Sequence, residues 1–321
     1  MSMYQNTSLD VTNSTVPLPR EYCHRFQDEE YFMISFSVTL ASIILEVFCC
    51  PFVILMNVLV IAAVRTTHRL QSASNILLAS LTGTDLLTGT AILPASIAGE
   101  IFAIAGGSVT TYCTLVKKIV SPLRFLSVLT SLFHLGVISV DRYIAIRYSL
   151  QYYNIVTKFR LAITIAFSWC LAGAFTIFKL LVDTSLPVFV LQGLTFTCVL
   201  IMVYCHVSVY LVTRRHERQI RTEQIPTGED TEHFLKEKKA WKTTAVIIGF
   251  VVLSLLPGVF INFGVMFTWD PRWLDRFRPL VLSFLILNSF SNPIIYCLRI
   301  QTMRQAMIRL LFLRDRNRRE N

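Results

Sequence analysis

The sequence predicts an all-α membrane protein, a seven-transmembrane helix bundle with a short amphipathic cytoplasmic helix after the seventh span. Three observations carry that prediction. Of 321 residues, 54% are apolar and only 16% are charged, a balance suited to a chain whose solvent is largely the bilayer. The apolar residues gather in seven continuous runs, each meeting or approaching the roughly 20 residues that a helix needs to cross about 30 Å of hydrocarbon. The charged residues collect between those runs. Continuous runs, without the alternating polarity of a barrel strand, select helices.

The runs lie near residues 35–64, 75–101, 118–146, 161–182, 187–212, 243–267 and 279–298. They divide the chain into an N-terminal tail over 1–33, a seven-helix domain over 34–299, and an amphipathic helix with a basic tail over 300–321. With the N-terminus outside, about 21 of the 30 Lys and Arg fall on the cytoplasmic side, as the positive-inside rule requires. The net charge of +10 is then the ordinary bias of a membrane protein facing anionic lipid, and no nucleic-acid partner is expected. The tail carries Asn6-Thr7-Ser8 and Asn13-Ser14-Thr15, two acceptor patterns for N-glycosylation on that outer side. No cleavable signal peptide begins at Met1, so the first span is expected to direct insertion itself.

Five of the eight cysteines, Cys49, Cys50, Cys170, Cys198 and Cys205, fall in apolar runs and read as small buried hydrophobes. Only Cys23 and Cys113 are expected to face an oxidising compartment, which leaves open a bridge between them or two free thiols. Cys297, just past the seventh run, is either an acylation site or an unmodified interfacial thiol.

Polar residues inside the runs ask for a reason, because an ionisable group at the centre of a spanning helix costs about 2.5 to 3.5 kcal/mol on insertion scales. Asp85 sits midway along the second run, with Asn57 in the first, Ser131 in the third, and Asn288, Ser289 and Asn292 in the seventh. Gathered in one bundle, these oxygens suit a monovalent cation such as Na+, or else form a plain hydrogen-bond network between helices. No other cofactor is expected.

Asp141-Arg142-Tyr143 closes the third run. Arg142 can pair there with Asp141 and with an acid of another helix, for which Glu237 at the approach to the sixth run is placed. A guanidinium held by two carboxylates is a two-state latch, since its release frees a fork of donors for a partner protein. Pro257 and Pro293 should kink the sixth and seventh helices. Tyr296, one turn after Pro293, can then swing between lipid-facing and core-facing positions.

Together these residues resemble the class A, or rhodopsin-like, G-protein-coupled receptors. The resemblance runs from Asn57 to the amphipathic segment 300–313. It rests on Asn57, Asp85 in Leu81-Thr82-Gly83-Thr84-Asp85-Leu86-Leu87, Arg142 in its triplet, Trp169, Tyr210, Pro257, and Pro293 in Asn292-Pro293-Ile294-Ile295-Tyr296. It implies a plasma-membrane receptor whose ligand binds on the outer side and opens a cytoplasmic cavity. Arg142, Tyr210 and Tyr296 rearrange there and a heterotrimeric G protein docks, with arrestin as a further candidate. Within the family the chain is similar to the group containing melanocortin, adenosine, cannabinoid and lysophospholipid receptors.

Several positions depart from the family pattern. Leu255 replaces the usual Trp before the sixth-helix proline, Met202 stands where the fifth helix usually has a proline, and Val251 replaces a Phe. The second outer loop, about 183–187, is short and has no cysteine, and Lys117 takes the place of the third-helix cysteine. The short loop and Met202 are similar to the melanocortin branch, whereas Glu46 and Asn262 match polar positions of adenosine receptors.

On the ligand side, Arg124 lies about five turns above Arg142, where amine receptors place an aspartate, so an amine ligand is disfavoured. Lys117, Ser121 and Arg124 recur at helical spacing, and Lys179 lies near the outer end of the fourth run. The set either lines a cationic pocket for an anionic or lipid-like ligand, or consists of snorkelling lysines and an Arg124 paired with Glu46 or Glu100. His134 and His206, inside apolar runs, read as hydrogen-bonded structural histidines. An enzyme is disfavoured because no nucleophile, metal cluster or phosphate loop can be assembled from these residues. The rivals that remain are a transporter using Asp85, Glu46 and Arg124 as a relay, and a receptor-like scaffold that no longer signals. Against a transporter stand the odd number of runs and the lack of a repeat relating two halves.

Overall fold

Apolar length decides where the helices run. The computed structural model describes residues 29–106, 109–182, 186–223, 241–254, 256–257, 259–260 and 286–319. Every regular element among them is helical: α1 (Glu29–Thr66), α2 (Ala73–Leu87), α3 (Leu93–Ile104), α4 (Val109–Leu115), α5 (Ser121–Arg147), α6 (Tyr152–Ile155), α7 (Lys158–Leu181), α8 (Leu186–Glu223), α9 (Trp241–Ser254), α10 (286–299) and α11 (Gln301–Arg319).

Five stretches are long and apolar enough to cross a membrane: Phe36–Thr66, Ala73–Ile104, Lys118–Arg147, Lys158–Leu181 and Phe189–Arg215. They coincide with the first five expected runs. The sixth and seventh runs are represented by α9 and α10, with 256–257 and 259–260 also described in the sixth, and the remainder of both lies outside the described residues. Also outside are Asn6, Asn13, Cys23, Glu237, Leu255 and Asn262, and the side chains of Cys113 and Lys117. Large apolar side chains such as Phe48, Phe167, Leu181, Phe196 and Leu253 are exposed on the isolated chain. A belt of this kind is costly in water and natural in lipid, in keeping with a membrane protein.

Two spans widen into π turns that the sequence analysis had not named. α2 joins α3 through a π turn over Thr88–Ile92, and α4 joins α5 through another over Val116–Val120. Each turn is followed by a proline, Pro94 and Pro122, in the first two positions of the next helix. A proline lacks the N–H of the regular ladder and its ring crowds the carbonyl four residues back, here Thr90 and Lys118 inside the two π turns. The extra residue of the wider turn relieves that clash.

Side-chain caps fix other ends. Ser72 accepts from the Asn75 N–H at 3.4 Å at the start of α2, and Thr157 from the Arg160 N–H at 3.3 Å at the start of α7. α5 lies at the centre against α2, α7 and α8, while α1 packs on α2, α3 and α11. The main apolar cluster joins Leu77 and Leu81 of α2, Leu132, Leu135 and Ile138 of α5, Met202 of α8, Ile247 and Val251 of α9, and Tyr296 of α10. α11 adds Met303, Ala306 and Met307 to this cluster, with Leu310 packed against it. That helical spacing leaves Arg304 and Arg309 exposed, so the helix is amphipathic as expected.

Gly89, in the first π turn, faces α1 so closely that a Cβ there would lie 2.9 Å from Ile54 Cγ1 and 3.0 Å from Val53 Cγ1. Gly83, on the same helix, has no such atom within 4 Å. Gly89→Val should therefore destabilise the purified protein by about 1 to 3 kcal/mol, and Gly83→Ala should leave it unchanged. Thermal unfolding in detergent would measure both.

Candidate functional site

A file of polar pairs fastens α2 and α3 to α5. From one end to the other, Ser74 Oγ donates to Asp141 Oδ2 at 2.8 Å, and Ser80 Oγ meets His134 Nε2 at 2.8 Å. Thr84 Oγ1 meets Ser131 Oγ at 3.0 Å, Thr88 Oγ1 meets Ser127 Oγ at 2.9 Å, and Arg124 Nη2 donates to Ser96 Oγ at 2.7 Å. The α5 partners fall at 141, 134, 131, 127 and 124, steps of three, four and seven that keep one helix face on the seam. His134 Nδ1 lies 2.7 Å from the Thr130 carbonyl, which can only accept, so Nδ1 carries the proton and Nε2 accepts from Ser80. The expected structural role of His134 is the one this geometry describes.

Asp85 lies beside the middle of this seam, buried, with its Oδ2 accepting from Asn292 Nδ2 at 2.9 Å. Asn57 Nδ2 donates to the carbonyls of Val53 at 2.8 Å and Ser289 at 3.2 Å, tying α1 to α10. Asp85, Ser131, Asn288, Ser289 and Asn292 all line one cavity of about 50 Å³. Asn288 Oδ1 and Asn292 Oδ1 are buried without a hydrogen-bond partner. A carboxylate, two spare amide oxygens and two hydroxyls around a small cavity form an all-oxygen donor set, the kind that a hard cation takes. The residues present therefore fit Na+. The same cavity extends between apolar walls, Leu132, Val251 and Ile286, to Arg124.

At one end of the seam Asp141 is surrounded by donors. Arg142 reaches its Oδ2 with Nη2 at 2.5 Å and Nε at 3.1 Å, Ser74 takes the same oxygen, and Tyr152 of α6 donates to Oδ1 at 2.8 Å. Burial, followed by the Asp141 carboxylate, pushes the Tyr152 phenol well above its ordinary pKa, which keeps it a neutral donor. Both Asp141 and Arg142 are buried. Tyr143 stacks its ring near Tyr148 and Tyr204, at 6.3 and 6.4 Å. Ser74 and Tyr152 were not singled out in the sequence. A lone serine and a loop tyrosine carry no pattern, and only the helix register brings them to Asp141.

Tyr210 and Tyr296 are not gathered around Arg142 here. Tyr210 is half-exposed, its ring 6.4 Å from Trp241 and 5.9 Å from the Arg214 guanidinium. Tyr296 is fully buried in the apolar cluster, the core-facing of its two expected positions, and its hydroxyl has no hydrogen-bond partner among the described residues. Cys297 points its thiol at Met307 Sδ, 3.3 Å away on α11.

At the other end, Arg124 is paired with the buried Glu46, Nη2 to Oε1 at 3.6 Å, as one of the two readings held. Glu100 accepts from Ser42 Oγ at 2.8 Å. Lys179 does not snorkel. It turns inward to Ser121, Nζ to Oγ at 2.6 Å, so Ser121 serves Lys179 and not Arg124.

Residues 56–296 match the family described as "7 transmembrane receptor (rhodopsin family)". The chain is 30% identical over 295 residues to the adenosine receptor A2a of Homo sapiens, covering 80% of this chain and 69% of that protein. It is 28% identical over 310 residues to the adenosine receptor A2a of Equus caballus, covering 85% and 72% respectively. It is also 28% identical over 263 residues to the melanocortin receptor 4 of Danio rerio, covering 79% and 78%.

The donors around Asp141 make a specific prediction. Ser74→Ala and Tyr152→Phe should each destabilise the protein by about 1 kcal/mol, and the double variant should deviate from additivity because both act on one carboxylate. Thermal unfolding of the single and double variants would measure the coupling.

Proposed function

The chain belongs to the rhodopsin family of seven-transmembrane receptors, and from that premise we propose how this sequence divides the receptor's work between its two ends. It is a membrane receptor that signals through G proteins, and neither a transporter nor a silent scaffold is the reading its family favours. In our reading α9 and α10 are parts of the sixth and seventh spans, and the N-terminus lies outside the plasma membrane. The Arg142 end and α11 then face the cytosol.

The observation that carries the transducing end is the Asp141–Arg142 pair, buried and held by Ser74 and Tyr152. A guanidinium neutralised in this way is cheap to keep in a low dielectric, and breaking the pair exposes a planar fork of donors. Glu237, at the approach to the sixth run, is the acid that would complete the latch. Beside the pair, Leu150 is 94% exposed and Tyr153 77% exposed, with Arg147 next to them. An apolar patch with a cation suits docking of a G protein, with arrestin as a second occupant.

The Arg124 end takes the ligand. Arg124, Lys117, Ser121, Glu46 and Asn262 are its candidate contacts, and the basic residues favour an anionic or lipid-like molecule. Asp85, Ser131, Asn288, Ser289 and Asn292 would hold Na+ between the two ends. When bound, the ion neutralises the Asp85 carboxylate and uses the amide oxygens left over in the cavity.

Two outcomes follow. In cells carrying a panel of G-protein biosensors, the wild-type chain should raise at least one signal, basally or with an agonist found by library screening. Arg142→Ala should abolish it at equal surface expression; a signal that survives the substitution would contradict the transducing role. Replacing NaCl by choline chloride should lower the unfolding temperature of the wild type through loss of ligand binding to the native state, and should not affect Asp85→Asn.

A further inference from the structure

One half-buried cation at the ligand end has, among the described residues, no opposite charge beside it. Nζ of Lys179 donates to Ser121 Oγ at 2.6 Å and to the Ser121 carbonyl at 3.3 Å, and lies 4.8 Å from the centroid of the Phe125 ring. All three partners are neutral. Among the described residues no carboxylate comes within 4.0 Å of Nζ. An ammonium inside a helix bundle without a counter-charge is costly, so the position calls for an anion.

Ser121 supplies the second half of a site. Its oxygen accepts from Nζ, so its own hydrogen points elsewhere, and no acceptor for it lies in reach among the described residues. A cation beside a hydroxyl with a spare hydrogen is a recognition pair for a carboxylate or phosphate oxygen. The same couple recurs one turn along α5, where Arg124 Nη2 donates to Ser96 Oγ at 2.7 Å. There, however, Glu46 already supplies the negative charge at 3.6 Å. Arg124 is thus paired with a carboxylate of the protein, whereas the described partners of Lys179 are all neutral. Around Phe125 the neighbours are apolar, Leu126, Phe175, Leu191 and Leu194 from α5, α7 and α8.

We propose that Lys179 and Ser121 bind the acidic head group of this receptor's ligand, a carboxylate or phosphate carried on an apolar body. This rests on the receptor reading above, and to the anionic or lipid-like ligand named there it adds an anchor that the sequence pattern had assigned to lipid phosphates as readily as to a pocket. Arg124 is the neighbouring cation, already neutralised by the protein's own carboxylate.

The test uses the purified full chain and probes that share a tail but differ in head group: dodecanoate, dodecyl phosphate, dodecanol and dodecylamine. Butyrate and inorganic phosphate serve as acids without the tail. Dodecanoate or dodecyl phosphate should raise the unfolding temperature, and the neutral, cationic and tail-less probes should not. Lys179→Gln should weaken the acidic probe's binding about tenfold or more, Ser121→Ala should weaken it less, and Lys179→Arg should retain it. An unchanged unfolding temperature of unliganded Lys179→Arg guards against loss of the fold. Equal stabilisation by acidic and neutral probes, or an unaltered affinity in Lys179→Gln, would overturn the site; equal effects of butyrate and dodecanoate would overturn the apolar body. Failure of the receptor reading has a different signature: head-group-selective binding that never activates a G protein in cells.

Discussion

A polar side chain in hydrocarbon has no water to turn to, and the structure depends on how α2, α3 and α5 meet that constraint together. Five pairs, from Ser74–Asp141 to Ser96–Arg124, satisfy one helix's polar groups with the other's. Each such pair contributes only about 0.6 kcal/mol on average in membrane bundles. Their effect lies in registration, because sliding α2 against α5 by one residue would strand all five at once. α1 joins this frame through Asn57 and through its close approach to Gly89.

The other side of α5 is built differently. α8 and α9 meet it through Met202, Ile247, Ile248 and Val251, apolar groups that can exchange neighbours at small cost, and meet each other through ring contacts of Trp241 with His206 and Tyr210. A bundle whose contacts among the described residues are hydrogen-bonded on one side of α5 and mainly apolar on the other has an evident place to open. The Asp141–Arg142 pair stands at that boundary: Asp141 is bonded to the fixed half by Ser74, while Arg142 is held by the carboxylate next to it in sequence. Asp141 keeps its Ser74 and Tyr152 donors on the fixed side whether or not Arg142 stays paired with it.

Much of this was legible in the sequence where a residue contradicted its surroundings. Asp85 and Asn292 are conspicuous in apolar runs, and their contact across 207 positions followed from assuming one bundle. The Asp141–Arg142 pair and the first five spans were readable for the same reason. The seam was not, because Thr84 and Thr88 also bond carbonyls of their own helix, at 2.6 and 3.2 Å, and such residues are common in spans that bond to nothing else. The π turns were missed because Pro94 and Pro122 were not singled out, and a proline within an apolar run does not by itself tell whether the turn before it widens. Lys179 was ambiguous because a long flexible side chain can reach either water or the interior, and only packing decides.

Paired spin-label distances at the Arg142 end would test the division into a fixed and an opening half most directly. One pair, at Gln71 and Arg147, spans the α2–α5 seam; the other, at Arg147 and Lys242, spans α5 and α9. All three positions are exposed. Addition of nucleotide-free G protein should lengthen the α5–α9 distance and leave the α2–α5 distance unaltered. If both distances change together, or the seam distance alone changes, the polar seam is not the frame on which this receptor moves.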